Sequence, residues 1–104
     1  MNDYISQADL AKRIDRVVAA SIEQVNRQLP VDRKIDMDER SPLFGAEGNL
    51  DSLGVVNLIV ALQKFVEEEF EMELQLRLEE VIAEDTSPFR TLETLVNYLT
   101  VELA

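Results

Sequence analysis

The sequence predicts an all-α bundle of three long helices and one short one, with a long loop between the first and second long helices. Two observations predict that class. Apolar residues recur at steps of three and four through most of the chain, which is the period of helices buried along one side. No two runs of alternating polarity are joined by a hairpin turn, and there is neither an internal repeat nor a low-complexity tract. At 104 residues and 46% hydrophobic content the chain is long enough for one core and too short for two, so residues 1–104 are expected to form one domain.

In the first helix, residues 6–28, Leu10, Ile14, Val18, Ile22, Val25 and Leu29 draw a single stripe. Ser6 with Asp9 has the form of a capping box at its start, and Pro30 ends it. Residues 31–50 contain Pro42, Gly45, Gly48 and Asn49 and little periodicity, so they read as a loop. Loops of that length are uncommon inside compact domains. Leu43, Phe44 and Leu50 are expected to insert into the core and tie this one down.

The second helix is expected to start at Asp51 or Ser52, both of which accept hydrogen bonds from the free amides of a helix start, and to run to about Phe70. Its middle, Leu58-Ile59-Val60-Ala61-Leu62, is apolar almost all round, which marks a central helix covered on several sides. In residues 71–84, Met72, Leu74, Leu76 and Leu78 alternate as a strand would, while the Leu and Glu content suits a helix; both readings stay open. Ser87-Pro88 has the form of an N-cap followed by proline at the first helical position, which predicts the short helix there. A last helix over residues 91–103 turns Leu92, Val96, Leu99 and Leu103 inward.

Cysteine and histidine are both absent. That removes disulfides, thiolate nucleophiles and the commonest general base and metal ligand, so the chain is expected not to be an enzyme. A hydrolase built on Ser52 would lack a histidine to activate it. Calcium binding through Asp36-Met37-Asp38 fails because Arg40 and Ser41 occupy later ligand positions and the loop glycine is missing. Residues 1–10 lack the basic flank and apolar stretch of a signal peptide, and no apolar run approaches membrane-spanning length, so a cytoplasmic protein without a membrane partner is expected. The net charge of -11 is uneven, with three Lys/Arg against twelve Asp/Glu after residue 50. Such a field repels nucleic acid and steers basic protein surfaces toward the chain.

The stretch with most information is Leu43-Phe44-Gly45-Ala46-Glu47-Gly48-Asn49-Leu50-Asp51-Ser52-Leu53, which leads into the apolar second helix and is followed at the end of the chain by Thr91-Leu92, Leu95-Val96 and Tyr98-Leu99. In this combination residues 43–103 resemble the acyl carrier proteins, whereas the first helix agrees only in length and periodicity. The resemblance implies the carrier-protein form of the helical bundle. It also implies that a phosphopantetheinyl transferase attaches 4′-phosphopantetheine from coenzyme A to Ser52. The thiol of that arm would carry acyl or aminoacyl groups as thioesters to ligases and transferases with basic or apolar docking patches. Asp51 would assist modification by helping to hold the transferase's Mg²⁺, and no resident metal is implied. Phe44, Val56, Val60 and Leu62 are candidates to line a cleft for the acyl chain, and a monomer is expected. Independently of the resemblance, a phosphodiester on Ser52 would sit at a helix N-terminus, whose amides and dipole favour an anion by about 0.3–1 kcal/mol when exposed.

The chain departs from carriers of fatty-acid synthesis, which show acidic residues near the serine. Here that face offers Gly54, Val55, Asn57 and Leu58, then Gln63 and Lys64, and the block Glu67-Glu68-Glu69 follows well beyond. The second helix also looks longer, with Val66 and Phe70 both able to take the place of the family's terminal phenylalanine. A specialised member is therefore expected, docking through Leu53, Val55, Asn57 and Leu58 with Glu67 and Glu68 giving long-range steering. The alternative is an unmodified helical adaptor that binds a partner through an apolar groove.

Overall fold

In the computed structural model, which describes residues 7–44, 48–83 and 87–103, the chain forms α1 (Gln7–Asn26), α2 (Ser52–Phe70), α3 (Leu78–Val81) and α4 (Leu92–Leu103). A small all-α bundle is what the apolar periodicity predicts. Helix α1 buries Leu10, Ile14, Val18, Ile22 and Val25 as one stripe and adds Val17 and Ser21 beside it. The Ser21 hydroxyl is satisfied inside the helix by donating to the Val17 carbonyl at 2.7 Å. Ser6, the expected cap, lies outside the described residues.

Helix α1 packs against both α2 and α4. Arg13, early in α1, meets Glu69, late in α2, while Gln28 beyond the end of α1 accepts from the Asn57 side chain at 3.1 Å. The two long helices therefore run in opposite directions. Buried residues of α2 (Val55, Leu58, Ala61, Leu62, Val66) and of α4 (Leu92, Leu95, Leu99, Leu103) complete the core. Leu95 takes the inward place expected of Val96, which is only half-buried.

The loop of residues 31–50 is tied down at its start, middle and end. It opens with a single 3₁₀ turn, Val31–Arg33. The Asn26 side chain then brackets buried Ile35, donating to its carbonyl at 2.9 Å and accepting from its amide at 2.8 Å. Further on, the carbonyls of Glu39 and Ser41 accept from the Glu93 and Leu92 amides at 2.9 and 3.0 Å, taking two of the free donors at the start of α4. Thr91 and Thr94 exchange side-chain to amide hydrogen bonds at 3.0 and 3.1 Å, a capping box with threonine in the usual glutamate place. The amides of Leu43 and Phe44 donate to the carbonyls of Arg90 and Phe89 at 2.9 and 3.0 Å. Leu43 and Leu50 are buried and Phe44 half-buried, as expected.

Helix α2 stops at Glu71, whose φ of 55° places a non-glycine residue in the left-handed region while its amide donates to the Glu67 carbonyl at 2.9 Å. An extended run follows, burying Leu74, whose carbonyl accepts from the Gln63 side chain at 3.3 Å. The alternation of residues 72–76 thus reflects extended chain, although among the described residues it pairs with no strand. The short helix belongs at Leu78–Val81, not at Ser87. Ser87 instead closes one turn around fully buried Phe89, its hydroxyl accepting from the Phe89 amide at 2.9 Å. Among the described residues no helix is long and apolar enough to cross a membrane.

Candidate functional site

Ser52 is the first residue of α2, and local chemistry puts it there. Asp51 is extended (φ -89°, ψ -174°) and acts as the N-cap, its carboxylate accepting from the Gly54 amide at 2.8 Å and its carbonyl from the Val55 amide at 2.9 Å. The amides of Ser52 and Leu53 are left without an acceptor among the described residues. The Ser52 side chain is exposed, and no described residue bonds its hydroxyl.

The residues just before the serine are held firmly. Leu50 is buried and its amide donates to the Leu43 carbonyl at 2.9 Å, while Leu43 is itself bonded to Arg90 ahead of α4. Gly48 passes so close to this pairing that a Cβ there would lie 2.6 Å from the Leu43 carbonyl carbon and 2.7 Å from the Phe44 nitrogen, both backbone atoms that cannot give way. Gly54 packs on the same corner, with room for a Cβ only 2.9 Å from the Leu50 side chain. A rigid corner thus presents an unengaged hydroxyl to solvent beside two free amides.

The predicted partner residues separate into exposed, buried and half-buried positions. Leu53 is 68% exposed, and Glu67 and Glu68 are exposed along α2. Val55 and Leu58 are fully buried, so they belong to the core and cannot dock a partner. Asn57 is half-buried and engaged with Gln28. The predicted acyl-cleft set needs correction too. Leu62 is enclosed and Phe44 half-buried, but Val56 and Val60 are 39% and 55% exposed, so they lie on the outer side of α2 and share no cleft with Leu62. Leu53, Val56 and Val60 recur at helical spacing, forming an exposed apolar row that begins beside Ser52. Sequence reading missed this row because α2 is apolar on nearly every side and the periodic signal is weak.

Three other features fell outside the sequence reading. The Arg33 guanidinium donates to the Asn49 carbonyl at 3.1 Å, bringing a cation from the 3₁₀ turn to the loop just ahead of the site. At the opposite end of α2, Glu69 pairs with Arg13 at 3.0 Å and Arg16 at 3.5 Å, and the Arg13 hydrogen bond, followed by contributions from Arg16, draws its carboxyl below the ordinary glutamate value. On α4, burial and then the charges of Glu102 and Glu80 push the Tyr98 hydroxyl up. Neither titration involves the serine. Among the described residues no cluster of three or more carboxylates could hold a metal ion.

No family model matches the chain, and no curated protein or solved structure matches it either.

Proposed function

We propose that the chain is a carrier whose Ser52 is modified with 4′-phosphopantetheine and which presents thioester-bound acyl or aminoacyl groups to partner enzymes. One observation supports this reading above the others: an exposed, unbonded serine hydroxyl at the first position of α2, next to an aspartate that caps the helix. In the modification, Ser52 Oγ forms one P–O bond and the pyrophosphate P–O bond of coenzyme A breaks, releasing adenosine 3′,5′-bisphosphate, with the serine proton passing to the transferase. The free amides of Ser52 and Leu53 are suited to the new phosphodiester, because a helix start favours an anion. Once bound, the arm supplies a thiol, which this cysteine-free chain does not have.

The remaining residues have distinct duties in this reading. Asp51 fixes the start of the helix and offers its second carboxylate oxygen toward the transferase's Mg²⁺. The docking face is the row Leu53, Val56 and Val60 in place of the buried Val55 and Leu58, with Glu67 and Glu68 attracting basic surfaces from a distance. The same row would also serve an unmodified adaptor, so the state of Ser52 separates the two readings.

The test is incubation of the unmodified chain with coenzyme A and a broad-specificity phosphopantetheinyl transferase, followed by intact-mass measurement. The carrier reading expects the mass of one phosphopantetheine to be added to the wild type and none to Ser52→Ala. No gain on the wild type, or an equal gain on Ser52→Ala, overturns it.

A further inference from the structure

A cleft of about 450 Å³ opens between α1, the loop and α4. Its floor is apolar, made of Val18 from α1 and Leu92 and Val96 from α4. Beside Val18 the surface of α1 recedes at exposed Ala19, whose small side chain leaves the space open. Met37 of the loop stands at the mouth, 55% exposed, with an unbranched side chain able to swing over an occupant. The volume lies within the range typical of small-molecule sites.

The rim sets the chemistry of the occupant. Asp15, Glu39 and Glu93 contribute three carboxylates from three different elements, and no residue lining the cleft is basic. The loop side of the rim is fixed to the α4 side, because the Glu39 carbonyl accepts from the Glu93 amide at 2.9 Å. An anion would be repelled. A neutral apolar molecule would cover the floor but leave the three exposed carboxylates without a counter-charge. A molecule with an aliphatic body and one ammonium group meets both demands: the body covers Val18, Leu92 and Val96, and the ammonium faces the rim.

We propose that this cleft is a binding site for a small aliphatic ammonium ion. The proposal is independent of the role given to Ser52. It is tested by NMR titration of the full isotopically labelled chain with octylammonium, using octanol and octanoate as matched neutral and anionic probes. Saturable shifts are expected at Val18, Ala19, Val96 and the Met37 methyl, with octanol at least about tenfold weaker and octanoate not binding. Asp15→Asn with Glu93→Gln should weaken octylammonium by about tenfold or more, whereas Glu71→Gln with Glu73→Gln, an equal charge change elsewhere, should leave it unaltered. Absence of saturable binding, shifts centred elsewhere, equal binding of octanol, or equal weakening by the two double variants would each overturn the proposal.

Discussion

The two ends of α2 are built on opposite plans. At its C-terminal end, Arg13 reaches from α1 to bond both the Glu69 carboxylate and the Glu69 carbonyl, lays its guanidinium 4.3 Å from the centre of the Phe70 ring, and shares Glu69 with Arg16. The Glu69 carboxylate and carbonyl there are both engaged by side chains of α1. At the N-terminal end, the loop corner is equally well fixed through Leu43, Gly48 and Leu50, yet Ser52 and the exposed Leu53 beside it are left over. A firmly anchored helix with one unspent end suits a site that others must reach, since loose support would cost precision in presentation.

The largest difference is expected between neighbours on α2. Leu58→Ala should cost about 2–5 kcal/mol, because it empties a fully enclosed place. Leu53→Ala should stay within about 0.5 kcal/mol, being on the exposed row. Urea denaturation of both variants checks this, and similar losses would erase the distinction between core and docking face.

Next in size is the cap. Asp51→Ala removes the acceptor for the Gly54 amide and should cost about 1 kcal/mol, with Asp51→Asn keeping most of the stability. If the aspartate also serves the transferase, Asp51→Asn should still slow modification of Ser52, a separation seen by pairing melting curves with intact-mass time courses.

At the far end, Glu71→Gly should raise stability by up to about 1 kcal/mol, because glycine adopts the left-handed conformation without the steric penalty of a Cβ. Arg13→Leu removes the contact with Phe70 and should cost about 0.5–1 kcal/mol from that contact. Acid should narrow the gap between wild type and Arg13→Leu. Glu69 titrates below its ordinary value in the folded chain, so its contribution is complete above the unfolded value and is lost as pH falls through the folded one. The effect is modest because the pair is in contact with solvent. Melting temperatures across an acid series check the sign, and a gap that widens toward low pH would contradict it.

The smallest expected change is Ser52→Ala, which should leave stability within about 0.5 kcal/mol, since no described residue depends on the hydroxyl. A larger loss would mean that the serine is a structural part of the helix start.

Local chemistry was enough to read much of this molecule. The stripe of α1 follows from apolar spacing alone, and the start of α2 from Asp51 and Ser52, because a helix period and a cap are properties of adjacent residues. The absence of cysteine and histidine was equally plain from composition and narrowed the chemistry open to the site. Tertiary structure decided which side of α2 faces out: Val55 and Leu58 went inside and Val56 and Val60 outside. In a helix apolar on nearly all sides, periodicity carries little directional information, so the packing of α1 and the loop settles the matter. It also decided how the loop is held, since Glu39 and Ser41 bond the start of α4 across some fifty positions of chain. Ser87-Pro88 likewise has the residues of a helix start and closes only a turn. There the full burial of Phe89 and the bonds from Leu43 and Phe44 prevail over local propensity, because non-local contacts outweigh the few tenths of a kcal/mol, roughly, that separate one short turn from another.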